Sequence, residues 1–587
     1  MQHFSTTPPD PGQHFFGRLR QWLAALLVLL AAPGAWAQAP AWQSAIAVSG
    51  GGSSHCRATA TDAAGNIYLA GYFSGTVSFG STTLTAVPTG TYYSDDAFVA
   101  KWSPITRSFM WAVQAGGTED DDVATGIAVN GTSVYVTGYF FGPTSTFGPT
   151  TLTNASPAGS RSASTDVFVT KLTDLGSSAA FAWTQGFGGT SYDTPGGIAV
   201  SGPNVYVAGN FNSPALTFGA TTLSPAVGGS GFLLKLTDTG SAASVAWAER
   251  LGPCRKLALR GADVFVAGDF TSTQATFGTF TLPNAHPGSQ EVFVAKYTDT
   301  GSGATLGWVQ QAGGSGQETL SGLAVEGTNV YITGDFMSAT AAFGSASITN
   351  SSAGSKYNGF VAKLVDAGSA GTFTWATRLG SASNEGARAV AVRGANVYVA
   401  GSFESQGSFG PFSLTSSGAM DLYVAKLVDI GAAPSFAWVQ QAGGAGGYHA
   451  SAGSVLLVGA TVYVSGWANL PTRFGALALA GSSNITAVMA TLTDPALTAT
   501  AGPRALPDVA VFPNPAHATA TVQLPPVSGT ATLTLLDALG RVVRTTTVPL
   551  PAAGLRHELD LAGLPAGLYA LRVAAGASTA THRLVVE

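Results

Sequence analysis

The chain has 587 residues, of which only 10% are charged and 75 are glycine, and its formal net charge is −5. Its length indicates more than one structural unit, and the scarcity of charge excludes long amphipathic helices, whose wet faces need Lys, Glu and Arg. Hydrophobic residues make up 45% of the chain, which excludes disorder, and the sequence lacks the basic clusters of nucleic-acid-binding proteins. The composition therefore predicts an all-β protein of several units.

Residues 1–37 predict a secretory signal peptide. Arg18 and Arg20 precede an apolar stretch over residues 22–32, and Ala35-Trp36-Ala37 forms a small-x-small cleavage pattern. The apolar stretch is about half the ~20 residues that a bilayer span requires, which argues against an anchor. We expect cleavage after Ala37 and no transmembrane segment in the mature chain.

Residues 38–495 contain seven copies of one repeat. Each copy includes a short strand that runs from an aromatic residue to a glycine: Tyr68–Gly71, Tyr135–Gly138, Tyr206–Gly209, Phe265–Gly268, Tyr331–Gly334, Tyr398–Gly401 and Tyr463–Gly466. This strand, termed B, follows a short apolar strand A and precedes a strand C and a Trp-containing strand D. Four-stranded units repeated radially predict a seven-bladed β-propeller.

The two ends of the repeat region predict how the ring closes. A Trp strand at Trp42 comes before any strand A, and the seventh unit stops near Asp494 without a strand D of its own. We therefore expect the N-terminal strand to complete blade seven, which leaves no exposed sheet edge. The alternative is an open β-solenoid, but solenoid repeats are shorter and their ends carry caps.

The amino-acid sequence of the repeats is similar to that of a known family. Units that read Gly-Gly, Asp, Ile-Ala-Val, Asn-Val-Tyr-Val-Ala-Gly and Phe-Val-Ala-Lys, as at Phe98-Val-Ala-Lys101, resemble a bacterial β-propeller repeat family over residues 42–495. The resemblance implies the fold and says little about activity, because propellers carry many functions.

Loop lengths predict the face that binds ligands. In a four-stranded meander the D–A and B–C loops share one face, and the B–C segments are much longer than A–B turns such as residues 130–132. At one position of the D–A loops lie acids or, at or beside it, histidines: Asp122, Asp193, Glu318, Glu385, His55 and His449. Such a near-ring would bind a cation or a polyol; alternatively, each acid caps backbone N–H groups at its turn.

Aromatic residues of the same loops are the candidates for stacking on sugars. They are Tyr92, Tyr93, Tyr139, Tyr192, Tyr357 and Tyr448. The alternative is that they are partly buried loop residues. A lysine also ends strand C in six repeats, whereas Thr491 stands there in the seventh. We interpret this lysine as structural, either at an exposed strand end or as the partner of a repeated carboxylate.

Cys56 and Cys254 are the only cysteines. They fall in blades one and four, nearly opposite each other, so a disulfide, which needs Cα atoms within ~7 Å, is not expected unless the loops dip inward. The sequence has no His-x-x-x-His or paired-Cys spacing, no Gly-x-Ser-x-Gly and no phosphate loop. It therefore predicts no metal, no cofactor and no catalytic residue.

The C-terminal region carries a second domain. After a linker at residues 496–506, residues 507–587 hold seven short alternating strands that predict a small β-sandwich. Its segments Val511-Phe512-Pro513-Asn514-Pro515, Asp537 to Gly540-Arg541 and Gly567 to Tyr569 resemble the type A C-terminal sorting domain of the Bacteroidetes type IX secretion system. The resemblance implies recognition by the type IX machinery at the outer membrane and an extracellular location, secreted or attached to the outer-membrane surface.

Two functions of different classes are consistent with these patterns. The first is a non-catalytic binding or adhesion module for an unidentified glycan or protein. The second is an extracellular carbohydrate-active enzyme, a lyase or hydrolase, whose acids lie on the face of the D–A and B–C loops. The absence of any catalytic constellation favours the first.

Overall fold

The structure is a computed structural model. It describes residues 39–87, 94–117, 121–156, 164–225, 230–352, 355–381, 383–481, 484–497, 504–505, 509–525, 529–537, 541–551, 553–575 and 578–587. The chain divides into two compact units after Leu497. The predicted signal peptide lies outside the described residues.

The first unit is built from seven four-stranded antiparallel sheets, numbered 1 to 7 along the chain. Strand A is Ser53–Thr61, Asp122–Asn130, Asp193–Ser201, Cys254–Arg260, Glu318–Glu326, Glu385–Arg393 and Ala450–Val458. Strand B is Ile67–Ser74, Ser133–Phe140, Asn204–Phe211, Asp263–Phe270, Asn329–Phe336, Asn396–Phe403 and Thr461–Asn469. Strand C is Asp96–Ser103, Asp166–Asp174, Gly231–Asp238, Glu291–Asp299, Asn358–Asp366, Asp421–Asp429 and Ile485–Thr493. Strand D is Ser108–Ala115, Ala179–Phe187, Ala243–Leu251, Ala304–Ala312, Gly371–Leu379, Pro434–Ala442 and, for sheet 7, Trp42–Ala47.

The order in every sheet is A-B-C-D, and sheet 7 takes its strand D from the N-terminus. Trp42–Ala47 pairs antiparallel with Ile485–Thr493, which confirms the pairing predicted for this strand. The A strands of successive sheets contact one another, and the A strand of sheet 7 contacts that of sheet 1. The all-β class is confirmed, since the helical content of the described chain is one 3-10 turn, Pro495–Leu497.

Strands B and C are buried on both faces because they pack between neighbouring sheets. Tyr68 of sheet 1, for example, shares an apolar cluster with Val134 and Phe168 of sheet 2. This two-sided burial explains why both strands read as runs of Val, Ala and aromatic residues rather than as alternating patterns.

The long B–C segments contain a two-stranded hairpin in each sheet. The hairpins are Thr76–Phe79 with Thr82–Thr85, Thr144–Phe147 with Thr150–Thr153, Leu216–Phe218 with Thr221–Leu223, Gln274–Phe277 with Phe280–Pro283, Thr340–Phe343 with Ala346–Thr349, Gln406–Phe409 with Phe412–Thr415, and Thr472–Phe474 with Leu477–Leu479. Ser49–Gly50 adds a third strand to the first hairpin. In the repeated Phe-Gly pair, the aromatic ring is buried and the glycine takes a left-handed conformation, as at Phe147 and Gly148 (φ 56°).

A buried ion pair joins six of the seven pairs of neighbouring sheets. The repeated lysine, which lies two or three residues before the end of strand C, meets an aspartate at or directly after the end of strand C in the next sheet, with N–O distances of 2.5–3.0 Å. The pairs are Lys101–Asp174, Lys171–Asp238, Lys235–Asp299, Lys296–Asp366, Lys363–Asp429 and Lys426–Asp494. The lysines are buried, so the expectation of an exposed strand end was wrong and that of a carboxylate partner is confirmed.

The interface between sheets 7 and 1 lacks this clamp on both sides. Thr491 stands in place of the lysine, and Pro104 follows strand C of sheet 1 where the other sheets have the aspartate. Thr491 instead shares a 2.6 Å hydrogen bond with Ser44 of the N-terminal strand. Both the lysine and the aspartate of the ion pair are therefore absent at the interface between sheets 7 and 1, beside the sheet that contains both ends of the first unit.

The second unit has two sheets on one apolar cluster. Arg504–Ala505, Ser578–Val586, Gly567–Ala575, Gly529–Leu536 and Val542–Leu550 form a five-stranded sheet, and Ala510–Phe512, Thr519–Leu524 and Leu555–Asp560 form a three-stranded one. Val522, Leu533 and Leu571 are among the buried residues that both sheets contribute. The seven strands predicted for residues 507–587 are all present, with Arg504–Ala505 in addition.

Candidate functional site

Strand A of every sheet contains a β-bulge at the same place. One residue of strand A is skipped in the pairing with strand B, and these residues are Arg57, Thr125, Gly196, Arg255, Ser321, Arg388 and Gly453. We call them the bulge ring. A bulge frees a residue from the ladder and re-aims its side chain, and bulges are frequent beside functional sites.

All seven bulge residues line one cavity region; five of them carry a side chain, and Gly196 and Gly453 do not. The cavity has a volume of about 610 Å³ and is lined by residues from strand A of every sheet, including the entire bulge ring. This volume falls within the ~300–1,000 Å³ of small-molecule sites. At Gly196 a Cβ atom would come within 2.7 Å of backbone atoms of Cys254 and Arg255, so the position requires glycine.

Among the described residues that line the cavity, the charged side chains are all cationic: Arg57, Arg255, Lys256 and Arg388. Two of them are neutralised by carboxylates behind the wall. Arg255 forms a bidentate pair with Asp269, and Arg388 Nη1 lies 2.7 Å from Asp335 Oδ2. Asp269 and Asp335 also accept backbone N–H groups of Leu320 and Ala387, which fixes them in place.

The other two cations have no such partner. Arg57 donates to the hydroxyl of Tyr72 at 3.3 Å and lies over its ring, 5.2 Å from the centroid. Lys256, beside the bulge of sheet 4, has no carboxylate within ion-pair distance among the described residues. Desolvation, with the charges of Arg255 and Arg57, lowers the pKa of Lys256. The cavity therefore carries more positive charge than its immediate partners neutralise.

Polar and aromatic side chains complete the lining at the ends of the B strands. Tyr139, Asn210, Ser402 and Trp467 each directly follow the glycine that ends the aromatic-to-glycine segment, and each lines the cavity. Among the aromatic candidates predicted from the sequence, Tyr139 lies in this lining. Trp467 lies 5.6 Å from the ring of His55, which stacks on Tyr72 at 4.6 Å. The pKa of His55 is lowered to about 4, mainly by burial and further by the charge of Arg57, so this ring is neutral at pH 7.

Both cysteines lie in the cavity wall as free, buried thiols. Their placement in sheets 1 and 4 agrees with the expectation that they are not bonded. Burial raises the pKa of Cys56 and of Cys254 to about 12. These thiols are therefore protonated and act as small apolar side chains.

The four predicted acids are buried at the first residue of strand A rather than within the D–A loops, and they hold neighbouring loop residues in place. Asp122 and Glu318 accept the N–H groups of Gly117 and Gly314, and Asp193 accepts those of Gly189, Asn212 and Ser213. Glu385 accepts from the side chain of Asn358 at 2.9 Å. Burial raises the pKa of all four, that of Glu385 to about 8.

The remaining predicted residues lie outside the cavity lining. Tyr192 is 43% exposed beside Phe141, Tyr357 donates to Gln317, and Tyr448 and His449 lie in the D–A loop of sheet 7. Tyr92 and Tyr93 fall outside the described residues. Prediction missed the bulge ring, although the sequence carries a signal. At ten residues before the strand B aromatic in six repeats, as for Thr125 and Tyr135, and at eleven in the first repeat, the residue type varies among Arg, Thr, Ser and Gly.

In the second unit, the segment from Phe512 to Pro515 is exposed and anchored by its asparagine. Asn514 donates to the carbonyl of Arg583 at 2.7 Å and accepts the N–H of Val585 at 2.9 Å. Asp537 pairs with Arg541 at 2.8 Å, and the hydroxyl of Tyr569 donates to Pro565. Gly567 begins its strand, and Gly540 lies outside the described residues.

Comparison with known proteins supports the sorting role of this unit. A family described as secretion system C-terminal sorting domain matches residues 510–587. The match supports the type IX part of the resemblance, and it implies export to the cell surface or the extracellular space and interaction with the type IX machinery. A search of curated proteins finds no match.

Two solved structures show weak likeness. Dimeric latent PorU from Porphyromonas gingivalis is 11% identical with a TM-score of 0.12, over 55% of this chain and 31% of that one, so this chain spans about a third of its length. A mutant Trypanosoma rangeli sialidase displaying trans-sialidase activity is 8% identical with a TM-score of 0.26, over 92% and 88% of the two chains. Both TM-scores are too low to indicate a shared fold.

The described residues contain neither a group of side chains arranged for a metal ion nor a helix suited to span a membrane. Within those ranges, no group of three or more His, Cys, Asp and Glu side chains is arranged to hold a metal ion. In the same part of the chain, no helix has the length and apolarity to cross a membrane.

Proposed function

We propose that this chain is an exported, non-catalytic binding module, a seven-bladed β-propeller with a small β-sandwich that sorts it to the type IX machinery. The propeller is supported by the seven A-B-C-D sheets, by the contact between the A strands of sheets 7 and 1, and by the shared seventh sheet. An open solenoid would leave its two end sheets apart. The signal peptide over residues 1–37 completes the export route.

The ligand of this module is a glycan, bound in the cavity of the bulge ring. The observation that carries this proposal is the convergence of all seven bulge residues on one cavity of about 610 Å³. Its wall offers hydroxyl and amide groups for sugar hydroxyls and the rings of Tyr139 and Trp467 for stacking. The carbohydrate-active enzyme is the less supported function, because its four candidate acids are buried and hydrogen-bonded within the protein rather than presented to a substrate.

Two experiments test the proposal separately. Deletion of residues 507–587 is expected to abolish the protein in washed outer membranes and culture supernatant; unchanged export would refute the sorting role. A glycan array probed with the purified protein is expected to show retention without release of shorter products. Retention of protein ligands alone, or turnover of a bound glycan, would refute the glycan-binding assignment.

A further inference from the structure

The charge of the cavity narrows the class of ligand. The chain as a whole is acidic, with a net charge of −5, yet the lining residues that the structure describes include four cationic and no acidic side chains. Cations on separate strands repel one another, so gathering them around one cavity costs free energy unless a counter-charge is supplied. Asp269 and Asp335 supply it for Arg255 and Arg388, whereas Arg57 and Lys256 have no carboxylate at ion-pair distance among the described residues. Asp95 acts on Arg57 only from beyond that distance.

The bulges themselves indicate that the placement serves the cavity. Three of the four cations, Arg57, Arg255 and Arg388, occupy bulge positions that release a side chain from its sheet, and the fourth, Lys256, follows one. The equivalent positions in the other sheets hold Thr125, Gly196, Ser321 and Gly453. The fold therefore tolerates small or polar residues there, and arginine is not needed to build the bulge.

The carboxylates behind the wall fix two of the arginines in position. Asp269 holds Arg255 through two contacts, and it also accepts from Gln290 and from the backbone of Leu320. A guanidinium held in this way keeps free N–H groups for a second acceptor, because it has five donors. Side-chain exposures of 47% for Arg255 and 43% for Arg388 leave those groups accessible.

Resting on the proposed glycan-binding function, we propose that the cavity selects acidic sugars, with Arg57 and Lys256 receiving the carboxylate or sulfate of the sugar. Thr125, Ser321 and Ser402 line the same cavity, and their hydroxyl-bearing side chains suit the uncharged hydroxyls of the sugar ring. An acidic peptide is the competing ligand class. The aromatic and hydroxyl lining around the cations favours the sugar.

The test compares oligosaccharides of equal length by isothermal titration calorimetry with the purified protein: a uronate oligomer, a sulfated oligomer and a neutral oligomer. We expect at least one acidic oligomer to bind about tenfold or more tightly than the neutral one, and the two acidic arms identify the anionic group. Lys256→Gln and Arg57→Gln should each weaken acidic binding about tenfold. Lys356→Gln, an exposed lysine outside the lining, is the matched control and should change nothing.

The outcomes separate this inference from the proposed function. Equal affinity for neutral and acidic oligomers, or acidic binding that survives both cavity substitutions, would overturn the selection of acidic sugars and leave a glycan-binding module. Binding of an acidic peptide in place of every oligosaccharide would overturn both. Thermal unfolding followed by circular dichroism checks the fold, and Lys256→Gln should not lower the melting temperature, because it removes a charge without a carboxylate partner.

Discussion

The buried clamp between neighbouring sheets offers a direct test of what holds the first unit together. Lys171 of sheet 2 meets Asp238 of sheet 3 at 2.6 Å, and both side chains are about nine-tenths buried, at 8% exposure each. Asp238 also accepts from the hydroxyl of Tyr135 and the indole N–H of Trp183. Asp238→Asn removes the negative charge and leaves a buried lysine without a counter-ion.

Removing one partner of a buried ion pair costs ~3–5 kcal/mol. Because the asparagine oxygen can still accept from Tyr135 or Lys171, we expect a loss near the lower end, about 3 kcal/mol of unfolding free energy. Lys171→Met leaves Asp238 with Tyr135 and Trp183 as donors and should cost less. The double variant should cost less than the sum, because neither charge is then left alone.

Urea unfolding followed by tryptophan fluorescence and far-UV circular dichroism measures these free energies. Asp560→Asn is the exposed control: its carboxylate lies 2.9 Å from Arg544 but is 66% exposed, so the loss should stay within ~1 kcal/mol. If Asp238→Asn cost no more than Asp560→Asn, or if the two clamp substitutions were simply additive, the clamp would not be a buried, coupled pair.

The pH dependence of this loss has a defined sign. Burial alone would raise the pKa of Asp238, but the hydrogen bonds from Lys171 and Tyr135 outweigh it and lower that pKa below the ordinary value. A carboxylate with a lowered pKa stabilises the fold above the unfolded pKa of ~3.9, and the contribution is lost as the pH falls through the folded value. The deficit of Asp238→Asn should therefore be constant between pH 5 and 8 by these values and shrink in more acidic solution, as urea titrations at each pH would show.

Three further predictions concern other parts of the first unit. Cys56 and Cys254, with pKa values of about 12, should react with a thiol reagent at pH 8 only after denaturation, and two thiols should then be counted; fewer would reveal a disulfide. Burial raises the pKa of Glu385 to about 8, so the stability that its protonated form contributes is fully present below pH ~4.3 and is lost as the pH rises through 8. Glu385→Gln should therefore match the melting temperature of the unsubstituted protein at pH 4.5 and exceed it at pH 9. Equal melting temperatures of the two proteins at both pH values would contradict the raised pKa. Hydrogen exchange should be faster in Trp42–Ala47, at the interface without a clamp, than in Ala179–Phe187; equal protection would show that the clamp does not set local stability.

The strand pattern was predictable because it is local and repeated. The aromatic of strand B, the Trp of strand D and the Phe-Gly turn each recur at a similar spacing, so every copy reinforces the same interpretation. The pairing of Trp42–Ala47 with the seventh sheet followed from counting strands, because the seventh repeat lacked a strand D and the N-terminal Trp strand preceded every repeat. The second unit was predictable for the same reason, from strands bounded by turn residues.

The cavity was harder to predict because a bulge is a property of pairing between two strands. The sequence shows Arg57 or Arg388 as one more residue in strand A, and alternation assigns a face only if the pairing register is unbroken. The repeated acids drew attention instead, yet Asp193 and its counterparts in three other sheets recur because they hold neighbouring loop residues in place. The variable positions of the repeat, rather than the constant ones, line the cavity.

The seventh sheet also fixes an order of events in folding. Trp42–Ala47 is made first and pairs with Ile485–Thr493, which is made last among the strands of the unit, so the intervening chain must be in place before this pairing is gained. Contacts so distant in sequence carry a large loop-closure cost and form slowly. Until then the edge of Ile485–Thr493 is an unpaired strand that another copy could occupy. Exchange of the N-terminal strand between copies is thus the characteristic misassembly of this fold, and a free excess of residues 38–48 as a peptide should suppress it.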